Sequence, residues 1–464
     1  MQFRKEKDSM GEIFIPKEAY YGPQTQRAYD NFPISGMRMP EPLIHALALI
    51  KKFAAQVNLD LGLLDSALAQ AIIQASEEVF QGKFDDEFII DVFQTGSGTS
   101  TNMNMNEVLA SRANEMITGK KGGKTPVHPN DHVNLGQSSN DVIPSAIHMA
   151  AMLKIHKTLM PALEILAKTL SRKAVEFKGV KKIGRTHLQD ALPLSLGNVF
   201  SGYARQVELA KDRISGTCKR LAELALGGTA VGTGANTHPQ FARRVIDRLS
   251  TFTGITFREA VNHFEAQAAQ DAAVEVSGAL KTIATGLIKI AADIRLLASG
   301  PRCGIGEIIL PALQPGSSIM PGKVNPVIPE AVIQVGYQVM GNDLAITLGG
   351  QGGFFELNTS LPLIAHNLIQ SIDLLSSAAA VFSEKCLRGI RADTDKCAGY
   401  IEKSLALATA LVPYIGYDKA AEIAGKAYET GRTVKETAIE ESILPLKLLK
   451  KLLETDQPIK KSRH

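Results

Sequence analysis

Nowhere in the chain do two cysteines form a C-x-x-C pair; the four present, Cys218, Cys303, Cys386 and Cys397, are scattered. That spacing excludes a zinc site built on such pairs and a disulfide frame, and predicts reduced thiols in a cytoplasmic setting. No apolar run approaches the roughly 18 residues of a membrane span, so no membrane partner is expected. The opening M-Q-F-R-K-E-K-D-S-M-G lacks the apolar core of a secretory signal. Basic runs are missing before the closing K-K-S-R-H, and net charge is only +4. Without a basic stripe interleaved with aromatics, no nucleic-acid partner is expected.

What is present is a globular composition. Apolar residues make up 45% and charged residues 21% of 464 positions. That is enough to bury a large core across roughly three domains. Val276, Leu280, Ile283, Leu287, Ile290, Ile294 and Leu297 alternate spacings of four and three, a heptad seam ended by Gly300-Pro301. The pattern predicts a helix from about Glu265 to Ala298, roughly 50 Å long. A second seam runs through Phe200, Tyr203, Val207, Ala210, Ile214, Leu221 and Leu224, with Thr217 in one slot. A third is shorter: Leu159, Leu163, Leu166 and Leu170, with Pro161 near its start. Helices of this length call for neighbours from other copies of the chain, which predicts an oligomeric bundle. Residues 1–135 read as short helical patches mixed with extended pieces such as Ile13-Phe14-Ile15-Pro16. Residues 136–390 hold the long helices, and 391–464 form a smaller region of short helices.

Polar clusters interrupt this background. T-G-S-G-T-S-T-N-M-N-M-N-E, residues 95 to 107, alternates glycines with hydroxyls and then sets Asn102, Asn104 and Asn106 two apart. Such a stretch at a helix start is either an elaborate cap or an anion cradle; it lacks the G-K-[ST] of a P-loop. H-P-N-D-H-V-N, residues 128 to 134, has two histidines four apart, but Pro129 lies between them and no third ligand follows at metal-site spacing. No metal is expected. Ser138, Ser139 and Asn140 precede an apolar run and read as an N-cap or as donors to a carboxylate. G-R-T-H-L-Q-D, residues 184 to 190, contains a lone histidine, His187. G-G-T-A-V-G-T-G at 227 to 234 follows a helical pattern, so it fails the context of a dinucleotide fingerprint and reads as a helix-to-helix connection. The densest cluster is G-S-S-I-M-P-G-K-V-N-P, residues 316 to 326.

Together these stretches resemble the fumarase and aspartase superfamily of lyases over nearly the whole chain. The 316–326 loop is similar to the superfamily's signature, and residues 95–107 and 184–190 to its other two active-site segments. H-P-N-D, Q-S-S-N-D, L-A-S-G-P-R-C-G and the P-G-K of the signature look like the class II, iron-independent fumarases. V-I-P-E-A-V-I-Q-V, residues 327 to 335, is nearer the aspartase pattern. The resemblance implies a mainly α, three-domain fold whose central long-helix bundle forms a homotetrameric core, with active sites shared by three subunits. It implies a small dicarboxylate substrate, no cofactor, and reversible hydration of fumarate to L-malate in the tricarboxylic acid cycle. Aspartate ammonia-lyase is the alternative.

Carried onto this sequence, the family pattern makes Ser317 the base that takes a carbon-bound proton. Lys323 and Asn325 stabilise the carbanion, and Ser318 binds substrate. His187 polarises the leaving water and pairs with Glu330. Ser97, Gly98, Thr99, Ser138, Ser139, Asn140 and Thr186 clamp the carboxylates. A second anion site maps to His128, Pro129, Asn130 and Asp131.

Overall fold

The computed structural model describes residues 2–453. The K-K-S-R-H tail and the end of the expected C-terminal region lie outside the described residues. Seventeen α-helices dominate the described chain, and its strands pair only in sheets of two, as a mainly α fold requires.

Helix lengths differ from expectation near the N-terminus. In place of short patches, Glu41–Asp60 and Thr99–Thr118 each run 20 residues and Ser66–Phe80 runs 15. The first of these is buried on nearly every side, with Leu43, Ile44, Leu47, Leu49, Ile50, Phe53 and Val57 all in the core. A helix that is apolar all round shows no amphipathic period, which is why pattern reading shortened it.

The main seam begins later than expected. A short helix, His263–Ala268, is capped by Asn262 and ends at Ala269, whose backbone is extended; the long helix then spans Asp271–Leu297. Asp271 in its first turn suits the positive end of the helix dipole. In the second seam the helix stops at Leu221, and Leu224 falls in a two-residue strand paired with Arg258–Glu259. Leu159 of the third seam closes a π-turn before the Met160–Glu176 helix, whose first turn accommodates Pro161. All the seam side chains are buried within the single chain. Tyr337, Leu344 and Leu348, seven and four residues apart on the Val327–Gly350 helix, are instead the open stripe, each more than half exposed. This helix therefore keeps an apolar stripe open in the single chain.

Two compact units partition the chain. The first comprises Met1–Pro161, Ala210–Ala284 and Val335–Ser376. Within it the Glu41–Asp60 helix packs against the helices Ser66–Phe80, Ser139–Lys154 and Phe241–Thr253. The backbone just before the Thr99 helix lies against residues near 360: the Leu361 N–H donates to the Gly96 carbonyl at 2.9 Å. A Cβ on Gly96 would stand 1.7 Å from the Thr359 carbonyl oxygen, so only glycine fits there.

The second unit comprises Ala162–Leu209, Thr285–Gln334 and Ser377–His464. Its strands Lys181–Thr186 and Gln189–Ser195 form an antiparallel hairpin. Near its end, short helices close around Leu411, Ile423, Val434 and Leu449, an apolar cluster of their own.

Candidate active site

In the first unit, two helix starts meet through their hydroxyls. Gly98, at φ 73°, turns the chain into the Thr99–Thr118 helix, and a Cβ there would press on the Ile143 side chain at 3.0 Å. Ser97 Oγ lies 2.8 Å from Thr99 Oγ1, which lies 2.7 Å from Ser139 Oγ. Ser138 caps the Ser139–Lys154 helix in a capping box, its N–H donating to Asp141 Oδ1. The structure thus brings Ser97, Gly98, Thr99, Ser138, Ser139 and Asn140 together at two helix N-termini, whose unsatisfied N–H groups and dipoles suit an anion.

Asp141, which the sequence reading left out, holds this arrangement from below. It is fully buried, and its Oδ2 accepts the N–H groups of Gly227 at 3.0 Å and Thr229 at 2.9 Å. Burial pushes its carboxyl above the usual range, against the pull of those donors. Asn140 Nδ2 donates to the Ala230 carbonyl at 2.7 Å. The glycine-rich stretch at 227 to 234 is therefore a connection wrapped around the Ser139 helix start. The three asparagines are buried braces: Asn104 Nδ2 donates to the Glu87 carbonyl, while Asn102 and Asn106 both reach Asn134 Oδ1.

In the second unit, Thr186 pairs with Gln189 to close the hairpin, leaving His187 and Leu188 as a two-residue turn. Both have left-handed backbones, φ 56° and 62°. A turn of this hand favours Asn-Gly, and each non-glycine residue in it costs about 1 to 2 kcal/mol. Such strain persists where surrounding structure over-determines it, commonly at functional sites. The surrounding structure here is Glu307, 0% exposed, whose carboxylate sits 2.9 Å from Arg185 Nη1 and 3.1 Å from Lys182 Nζ on the strand leading to His187. No motif pointed to Glu307. A carboxylate inside the apolar stretch I-G-E-I-I was the available signal.

The loop at 316 to 326 is folded on itself. Gly316 N–H donates to the Lys323 carbonyl at 2.7 Å, and Asn325 Nδ2 to the Gly316 carbonyl at 2.7 Å. Ser317 Oγ accepts the N–H groups of Ile319 at 3.2 Å and Met320 at 2.9 Å. Ser318 and Lys323 are exposed. Glu330 lies in the first turn of the Val327–Gly350 helix, 3.7 Å from Arg295. Among the described residues no hydrogen bond links it to His187.

His128 acts as a cap. Its Nδ1 accepts the N–H groups of Asn130 and Asp131, each at 3.1 Å, at the start of the Pro129–Val133 turn. Burial holds its imidazole below the usual range, partly offset by Asp131. His132 Nδ1 accepts the His128 N–H at 2.9 Å. Among the described residues no group of three or more His, Cys, Asp or Glu side chains is placed to hold a metal ion.

A family model described as lyase matches residues 11–341, and one described as fumarase C C-terminus matches 407–457. A class II fumarate hydratase of Nitrosomonas europaea is 58% identical over 438 residues, covering 94% of this chain and 95% of that one. The mitochondrial fumarate hydratase of Homo sapiens is 53% identical over 440 residues, covering 94% of this chain and 86% of that one. The crystal structure of class II fumarase from Schistosoma mansoni superposes with a TM-score of 0.95 at 41% identity, covering 98% of each chain.

Proposed function

Since the chain belongs to the class II fumarate hydratase family of lyases, we propose that it interconverts L-malate and fumarate by removing and adding water. The observation that carries the mechanism is the pair of loop N–H groups on Ser317 Oγ. A serine hydroxyl is a poor base unless its alkoxide is stabilised. Two backbone donors already aimed at the oxygen supply part of that, and the Lys323 ammonium supplies charge. Ser317 takes the proton from the carbon beside one carboxylate of malate. The resulting carbanion delocalises into that carboxylate, where Lys323 and Asn325 face the developing charge. His187, oriented by Glu330, polarises the departing water.

Ser97, Gly98, Thr99, Ser138, Ser139 and Asn140 would clamp the diacid with Thr186 and Ser318, as their helix-start geometry supports. Active sites shared by three subunits of a homotetramer fit the open stripe of Tyr337, Leu344 and Leu348. The three-region division at about 135 and 390, and a cytoplasmic setting for the four free thiols, belong to the same reading. His128 to Asp131 would form a second anion site.

The reading is tested by offering malate and aspartate separately and following the ultraviolet absorbance of fumarate. Absorbance is expected with malate alone. A signal with aspartate alone would replace hydration by ammonia elimination.

A further inference from the structure

Lys51 lies in the middle of the Glu41–Asp60 helix and is 0% exposed, with Leu47, Ala54 and Ala55 buried beside it. Its Nζ donates to Asn134 Oδ1 at 2.8 Å, and the same oxygen receives Asn102 Nδ2 at 3.2 Å and Asn106 Nδ2 at 3.1 Å. Asn134 Nδ2 in turn donates to the Gln137 carbonyl at 3.0 Å, directly ahead of the Ser138 cap. Asn102 stands three residues into the helix that Thr99 begins. The ammonium is therefore joined through amides to both helix starts of the clamp.

Hydrogen bonding does not account for a cation here. A carbonyl oxygen has two lone pairs, and Asn134 Oδ1 keeps two amide donors if Lys51 is removed. Asp141 is the charged group whose field reaches Lys51, but its oxygens accept the N–H groups of Ser138, Gly227 and Thr229 and no direct bond to the ammonium. Burying an ammonium is destabilising, and an apolar side chain of equal length would fill the space more favourably. Burial draws its pKa from the usual lysine range down to about 7, against the attraction of Asp141. A charge kept at such a cost beside an anion-binding arrangement has a use there.

We propose that Lys51 is a positioning residue of the dicarboxylate clamp, supplying buried positive charge beneath the two helix starts that hold the substrate. The inference rests on the clamp reading given above. Through a low-dielectric interior, the ammonium favours a dianion at Thr99 and Ser139, and by reciprocity a bound dianion favours the protonated lysine. Around it the Thr99 helix presents Asn102 and Asn106, the following segment Asn134, and the Ser139 helix Asp141. Among the described residues no charged group from the Ser66–Phe80 or Phe241–Thr253 helix acts on it. Affinity for the substrate dianion therefore falls as pH rises through neutrality.

The test compares full-length wild type with Lys51→Met and Lys51→Gln. It reads KM and kcat for malate, Ki for succinate as an unreactive dicarboxylate, and the thermal midpoint. At about pH 6, KM and Ki are expected to rise on the order of tenfold in both variants, with kcat changed less than about threefold, while the midpoint reports separately on the lost attraction between Lys51 and Asp141. At about pH 8.5 the difference from wild type should shrink, because the wild-type lysine is then mostly neutral. A Lys51→Met enzyme that binds both diacids like wild type at each pH overturns the inference, as does full restoration by Lys51→Gln. Should neither variant fold, Asn134→Asp neutralises the ammonium in place, and an unchanged KM in that variant overturns it equally. Thr99→Val separates the two levels: if it too leaves KM unchanged, the clamp reading itself fails. If it raises KM while the Lys51 variants do not, only the role of Lys51 is lost.

Discussion

Thr99 Oγ1 and Ser139 Oγ stand 2.7 Å apart, joining the first turns of two helices that begin forty residues apart in the chain. Neither hydroxyl needs the other for its helix to form, since Ser138 caps one helix and Gly98 opens the other. Two donors held side by side at paired helix starts are arranged for a ligand oxygen. Ser139→Ala is expected to raise KM for malate on the order of tenfold, the worth of one hydrogen bond to a charged group, with little change in thermal midpoint. Steady-state kinetics check it. A lower midpoint with unchanged KM would make the contact purely structural.

Ser317→Ala removes the oxygen on which the Ile319 and Met320 N–H groups converge. kcat should fall by roughly a hundredfold or more, with assembly unaffected. Turnover assays and size-exclusion chromatography of the same preparation decide it. Normal turnover would assign the base elsewhere.

Glu307→Gln leaves Lys182 and Arg185 facing an amide inside the protein. Breaking a buried ion pair from one side costs about 3 to 5 kcal/mol, measurable by denaturant unfolding. Because the same carboxylate supports the strand that ends in the strained His187–Leu188 turn, kcat should drop as well. Glu307→Asp should recover part of both effects. Full activity in Glu307→Gln would show that the turn holds its shape without this support.

The His128 cap makes stability depend on pH. Its folded imidazole titrates below the ordinary 6.5, so the cap's contribution is complete above that value and is lost as pH falls through the lower folded one. His128→Asn keeps a capping acceptor that does not titrate. Between about pH 7 and about pH 5, wild type should lose about 1 kcal/mol relative to this variant, a typical cap contribution. Parallel pH dependences of the two unfolding midpoints would contradict the assignment.

The legibility of the site in the sequence follows its chemistry. Ser97, Thr99, Ser138 and the 316–326 loop stand out because hydroxyls and glycines crowd where core residues would otherwise be. Ser138 and Asp141 also carry the spacing of a capping box. The His187 turn was hidden because a left-handed two-residue turn is announced by Asn-Gly, and here it is made by His-Leu under constraint from Glu307. Lys51 and Glu307 were missed for a shared reason. A charge in an apolar stretch reads as solvent-facing, and the polar partners that hold it inside, Asn134 for Lys51 and Lys182 and Arg185 for Glu307, lie 80 or more positions away. The same limit applied to the Glu41–Asp60 helix, whose uniform apolarity erased the period that would have marked its length.

Gly96 and Thr359 touch backbone to backbone, and the first unit is assembled from three separated stretches ending at Ser376. During synthesis on the ribosome, Ser97 and Thr99 emerge some 260 residues before the strip that buttresses their turn. Until translation has passed Ser376, a nascent chain holds an unfinished binding surface. A truncation between Glu330 and Thr359 would remove the buttress even though every proposed catalytic side chain had already been made.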